Sequence, residues 1–215
     1  MKRTLDRIDL MLNLLIVTST LWAVVYYFYS GPDILGSVGA QCFKYFTTDS
    51  NVLALLSSLL YLVFRFTKRK EPEARIPQWL TVFKFVSTVA VSITLLTVVF
   101  FLAPTGAMRG NGWTTVMRFF TGNVLVLHLT TPVLAIVSTL FLEKGTVTRA
   151  QALLGVLPST VYGVVYLLMV VVLKRWNDWY GFTFGGRLYL VPVVAIVLLL
   201  FAAVLSLAER WIKNR

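Results

Sequence analysis

Charge, cysteine and histidine are scarce in this chain of 215 residues, and each scarcity removes a class of function. A single cysteine, Cys42, allows no intrachain disulfide and no Cys-x-x-Cys site. A single histidine, His128, leaves no His-rich metal site. No cofactor is expected. Only nine residues are acidic, and charged residues make up 13% of the chain, about half the usual share of a soluble domain. Long polar stretches, internal repeats and low-complexity segments are also missing.

Apolar residues fill the space left. They make up 58% of the chain, and the mean hydropathy is +0.79. Continuous apolar runs of about 20 residues recur, long enough to cross a hydrocarbon layer roughly 30 Å thick. Inside that layer every backbone N–H and C=O must be paired within the chain, which helices achieve. A membrane barrel would instead show short alternating segments. The pattern predicts an all-α polytopic bundle of six helices in one domain, residues 1–215. Its spans are expected at roughly 9–28, 43–66, 79–103, 115–142, 151–173 and 187–208. The first run is too long for a secretory leader and ends in no small-residue cleavage site, so it is expected to remain as a span.

The net charge of +11 would suggest nucleic acid in a soluble protein. Here Lys and Arg flank apolar runs, so anionic lipid headgroups are the expected counter-charge, and no nucleic-acid partner is expected. With both termini cytoplasmic, the inner set is Lys2, Arg3, Arg7, Arg65, Lys68, Arg69, Lys70, Arg75, Lys84, Lys144, Arg149, Arg210, Lys213 and Arg215. The outer set is Lys44, Arg109, Arg118, Lys174, Arg175 and Arg187, which completes the 20 bases. Trp113, Trp176, Trp179 and Tyr180 in the outer loops suit an interfacial belt.

Polar groups in hydrocarbon mark packing contacts or a site. In KYFTTDSN (44–51) and the turns after it, Thr47, Ser50, Asn51, Ala54 and Ser58 share one helical face, while Thr48 and Asp49 point elsewhere. This stripe reads either as a close helix seam or as part of a pocket. In TGNVLVLHLTTP (121–132), His128 lies mid-span, with Thr121 on its face and Thr131 close by. It reads either as a hydrogen-bonded core histidine or as a base, since imidazole is the side chain that titrates near neutrality. Pro132 frees a carbonyl behind it. The segment KRWNDWYGFTFGGR (174–187) reads as an interfacial belt with a tight turn or, less favoured, as the cap of a cavity.

Three of these pieces together resemble the androgen-induced-gene and FAR-17a-like family of integral membrane proteins. KYFTTDSN is similar to that family's K-[FY]-[LF]-T segment. HLTTPVL is similar to its lone membrane histidine with Thr and Pro behind it. WNDWYGFTF is similar to its W-x-Y-P-F stretch, with Gly181 where the family has proline. The order and spacing extend over nearly the whole chain and are nearest to the bacterial members, which implies a bacterial plasma membrane. The resemblance implies a hydrolase of fatty acid esters of hydroxy fatty acids, with Thr47 as nucleophile (Thr48 if the register differs by one) and His128. Asn51 and Asn123 are candidate oxyanion donors, and Ser50 and Thr131 candidate substrate contacts. Asp49 lies about 160° from Thr47 around the helix, so no triad is expected.

Depth poses a difficulty. Thr47 lies one turn into span two. His128 lies roughly 13 residues into span four, about 19 Å at 1.5 Å per residue. The pair can meet only if span two starts earlier or span four starts outside the membrane. Two other readings compete with the hydrolase: a non-catalytic binder or transporter-like bundle for a lipid or small amphiphile, and an assembly partner whose polar stripe is a seam. Few intramembrane charges and no inverted repeat count against transport.

Overall fold

A computed structural model describes residues 2–30, 39–68, 74–109, 112–183, 186 and 191–215. Six helices are long and apolar enough to span a membrane: Thr4–Ser30, Phe46–Thr67, Gln78–Gly106, Gly122–Leu142, Arg149–Val172 and Val191–Lys213, called spans one to six below. Much of the expected turn 31–39, part of the basic loop after span two, and residues 187–190 at the expected start of span six lie outside the described residues.

Three boundaries differ from the sequence reading, each for a physical reason. Span three does not stop at Pro104. A widened π-type turn, Val98–Leu102, precedes the proline, shifts the hydrogen-bond register and lets the helix run on to Arg109. Span four starts at Gly122, not near 115. The preceding helix, Trp113–Arg118, is separate, because Thr121 is extended and Gly122 has φ +58°. Span six continues to Lys213, so the expected polar tail is helical.

Spans one to four form the interior. Span one packs on two and four, and span three on two and four. The seams are drawn close by hydroxyl pairs: Thr20 with Thr131 at 2.7 Å, Ser50 with Thr94 at 2.8 Å, Ser57 with Ser87 at 2.7 Å and Thr88 with Thr139 at 2.9 Å. Small polar groups let backbones approach, and each hydroxyl satisfies another away from water. Phe85, Val89, Ala90 and Leu140 fill the space between spans three, four and six with Ala152 and Ala202.

Spans five and six are peripheral. Only 11% and 12% of their apolar windows are buried, against 56% in span three. Contact is close at Gly155 of span five, where an added Cβ would lie 2.7 Å from Ser206 Oγ and 3.0 Å from Val89 Cγ2. Beyond that point the two spans diverge from span three and leave a gap. Asp9 near the start of span one, Tyr61 near the end of two and Glu143 just after four meet at one end of the bundle. That end carries both termini and is called the terminal face. Thr47 and Asn123 sit towards the opposite, far face.

Candidate functional site

The far-face residues are best understood from span four. Val126–Thr130 form a π-type turn, in which the Thr131 N–H bonds to the Val126 carbonyl. The next residue, Pro132, has no N–H to offer. The Leu127 carbonyl therefore lacks a backbone donor, and Asn51 of span two supplies one: its Nδ2 donates to Leu127 O at 2.8 Å and to Thr47 O at 2.7 Å. The Thr47 and Leu127 carbonyls thus lie within the sum of those lengths of each other. Together with the late start of span four, this removes the depth difficulty. His128 is six residues past Gly122, not mid-span, and its backbone lies level with Thr47.

The break before span four also positions the imidazole. The chain turns at Thr121 and Gly122, leaving the Phe119 carbonyl outside the span four ladder, and His128 Nδ1 lies 2.8 Å from it. Because a carbonyl only accepts, Nδ1 carries the hydrogen and Nε2 is the acceptor. The Phe119 ring lies beside the imidazole, with centroids 6.1 Å apart. Thr121, expected on the histidine's helical face, lies in the break instead.

The polar stripe of span two divides. Ser50 is taken up by Thr94 and the Thr47 carbonyl, and Thr131 by Thr20, so both are seam contacts. Thr48, expected to point elsewhere, is fully buried, while Thr47 is only half-buried. The hydrogens of the Asn51 amide are committed to two carbonyls, so Asn51 is not an oxyanion donor. Among the described residues, the buried Oδ1 of Asn51, Nδ2 of Asn123, hydroxyl of Thr48 and hydroxyl of Tyr27 have no hydrogen-bond partner. Buried polar atoms are rarely left so. No hydrogen bond joins Thr47 to His128 among the described residues.

Thr47 faces away from span four, onto a cavity of about 680 Å³ between spans two, three, five and six. Phe46, Thr97, Phe101, Tyr162, Phe182 and Phe201 are among its walls. Wall residues such as Phe100, Val164 and Val197 are strongly exposed on the apolar belt, so the mouth opens sideways, towards lipid. The segment before span six closes one end with Tyr180, Gly181 and Phe182. Residues 184, 185 and 187 of that segment, read either as an interfacial belt or as a cap, lie outside the described residues. Asp178 holds the described part in place, accepting from Tyr166 Oη at 2.8 Å, Phe182 N at 2.9 Å, Thr183 N at 2.7 Å and Thr183 Oγ1 at 2.6 Å. Burial alone would raise the Asp178 carboxyl, but the bonds from Thr183, Tyr166 and Phe182 outweigh it and hold the group below its ordinary value.

A second polar region, at the terminal face, was missed in the sequence. Lys84, counted as a cytoplasmic anchor, is buried within span three. Its Nζ lies 2.9 Å from Glu143 Oε1 and donates to Asn13 Oδ1 at 2.6 Å and Ser58 Oγ at 3.1 Å. Asp9, Glu209 and Lys213 are buried as well. The expectation of few intramembrane charges does not hold. Among the described residues, no three His, Cys, Asp or Glu side chains group as a metal site requires.

Comparison with known proteins gives no family: no family model, no curated protein and no solved structure matches the chain.

Proposed function

We propose that the protein draws a lipid ester from the bilayer into the cavity between spans two, three, five and six and hydrolyses it, with Thr47 as nucleophile and His128 as base. The observation that carries this reading is Thr47 itself, a hydroxyl on the wall of a mainly apolar, laterally open cavity that it shares with Thr97, Ser159, Thr160 and Tyr162. The volume suits one long acyl chain with its ester group. The Thr47 oxygen would attack the ester carbonyl carbon while its proton passes to His128 Nε2. The imidazolium would return that proton to the departing alcohol, and water would then cleave the acyl-threonine by the same route. Asn123 Nδ2, buried and without a hydrogen-bond partner among the described residues, is a candidate oxyanion donor. The family resemblance supports esters of hydroxy fatty acids and a bacterial plasma membrane.

A second reading, binding without reaction, is favoured by one observation: His128 does not line the cavity. Closing the pair requires the imidazole to leave the Phe119 carbonyl or span two to rotate.

The test is labelling of the purified, detergent-solubilised protein by a fluorophosphonate, with Thr47→Ala, Thr48→Ala and His128→Ala alongside. Labelling lost in Thr47→Ala and His128→Ala, with unchanged elution and melting, is the expected result. Loss in Thr48→Ala alone moves the nucleophile by one residue. Saturable binding of a fluorescent fatty acid ester to unlabelled protein establishes the second reading. Neither labelling nor binding overturns both.

A further inference from the structure

The terminal face holds a feature that the proposed reaction does not use. Ser138 Oγ stands between two carboxylates, 2.7 Å from Asp9 Oδ1 and 2.9 Å from Glu143 Oε1, and it also accepts from Asn13 Nδ2 at 2.8 Å. A hydroxyl has one hydrogen and two lone pairs. The Asn13 amide fills one lone pair, and the single O–H reaches only one carboxylate. The remaining oxygen–oxygen contact is a hydrogen bond only if a carboxyl brings its own proton. The cluster is therefore one hydrogen short when both acids are ionised.

Charge balance locates that hydrogen. Glu143 is already paired with Lys84, whose three hydrogens are taken by Glu143, Asn13 and Ser58. Asp9 has no cation at ion-pair distance among the described residues. It is held by neutral donors, the Tyr61 hydroxyl and the Asn13 amide. Lys84 and Lys213 act on it only from beyond ion-pair distance, and a carboxylate so weakly compensated in hydrocarbon is costly.

The cluster is also reachable. A cavity of about 420 Å³ at the terminal face counts Asp9 and Tyr61 among its walls, with Asp6, Arg65, Gln78 and Lys144. A sealed structural clamp would need no such path.

We propose that Asp9, Ser138 and Glu143 form an intramembrane proton-binding site, open to the terminal face through this vestibule. The resting proton is on Asp9, which donates to Ser138, while Ser138 donates to Glu143. Transfer moves the Asp9 proton to Ser138 and the Ser138 proton to Glu143, leaving Asp9 ionised and Lys84 without its counter-charge. The Lys84 tie between spans three and four thus depends on where one proton resides. The other titratable and charged groups around Asp9 are Asp6 on span one, Tyr61 and Arg65 on span two, Arg75 before span three, Lys84 within it, Lys144 after span four and Lys213 on span six. The terminal face carries the larger basic set and is cytoplasmic by the positive-inside rule, so the proton is exchanged with the cytoplasm.

The test is infrared difference spectroscopy of the full chain in lipid nanodiscs. Wild type is expected to show a carboxylic-acid carbonyl band at neutral pH that shifts in heavy water, as a vestibule open to solvent requires. The band is expected to vanish in Asp9→Asn and persist in Asp6→Asn, with both variants eluting as wild type. Ser138→Ala, which removes the shared hydroxyl, is expected to move the pH at which the band titrates, and it serves if Asp9→Asn fails to fold. A folded wild type with no acid band at neutral pH overturns the proposal. So does a band indifferent to both Asp9→Asn and Ser138→Ala.

Discussion

Lys84 Nζ lies 2.9 Å from Glu143 Oε1, with both side chains 2% exposed, although the two residues are 59 positions apart, one within span three and the other just after span four. A buried pair of this kind is weak evidence of net stabilisation, but removing one partner leaves a charge with no compensation. Glu143→Ala is expected to destabilise the protein by about 3–5 kcal/mol. The double replacement Lys84→Met with Glu143→Leu should cost much less than Glu143→Ala alone. Thermal melting in one detergent compares them. Equal losses would show that the pair is not coupled.

Asn51 stands in for a hydrogen bond that Pro132 cannot make. Asn51→Ala leaves the Leu127 carbonyl unsatisfied and is expected to cost about 1–3 kcal/mol. In a Pro132→Ala background the helix regains a backbone N–H, so the cost of Asn51→Ala should fall. The double-mutant cycle measures that coupling, and a cycle that closes to zero would contradict the account of the π-type turn.

The glycines of span five separate close packing from open space. A methyl at Gly155 would press on Ser206 and Val89, whereas one at Gly163 meets nothing within 4 Å. Gly155→Ala is expected to lower stability by about 1–3 kcal/mol. Gly163→Ala should leave the melting temperature unchanged or slightly raised, since alanine favours helix.

Asp178 gives the cap a pH dependence. Its carboxyl is held below its ordinary value of 3.8. A depressed carboxyl contributes stability that is complete above the unfolded value and is lost as pH falls through the folded one. The cap should therefore be unaffected at neutral pH and loosen only in acid below the ordinary carboxylate range. Tryptophan emission of Trp176 and Trp179 follows it. Asp178→Asn should shift that emission at neutral pH and flatten the acid transition.

The six spans were readable because a continuous apolar run is a local property of the sequence. What the sequence reading missed depended on depth and facing. Lys84 was counted with the loop cations because a base near the end of a run usually reaches the headgroups, yet it lies six residues inside span three and is turned inwards. A signal for this existed in span one. Asp9, Asn13, Ile16, Thr20, Ala23 and Tyr27 recur at alternating intervals of four and three, and all six are buried. That is the inward seam of a packed helix, and it carries an acid and an amide. At the far face, Asn51 of KYFTTDSN reaches the Leu127 carbonyl of span four, a contact that the sequence leaves open. The segment does not reveal which threonine faces the cavity, because the step of about 100° from Thr47 to Thr48 separates cavity wall from bundle interior. The late start of span four was legible in TGN only once Gly122 was seen at positive φ.

The divergence of spans five and six has a consequence for any assay of this protein. A molecule entering between them comes from the membrane phase and not from water. Its occupancy follows its mole fraction among lipids. Each added methylene raises partition into the bilayer by about 0.8 kcal/mol before the protein is met. Chain-length preferences measured against aqueous concentration would therefore report the solvent as much as the cavity. The same preferences measured against surface dilution in vesicles would report the walls around Thr47.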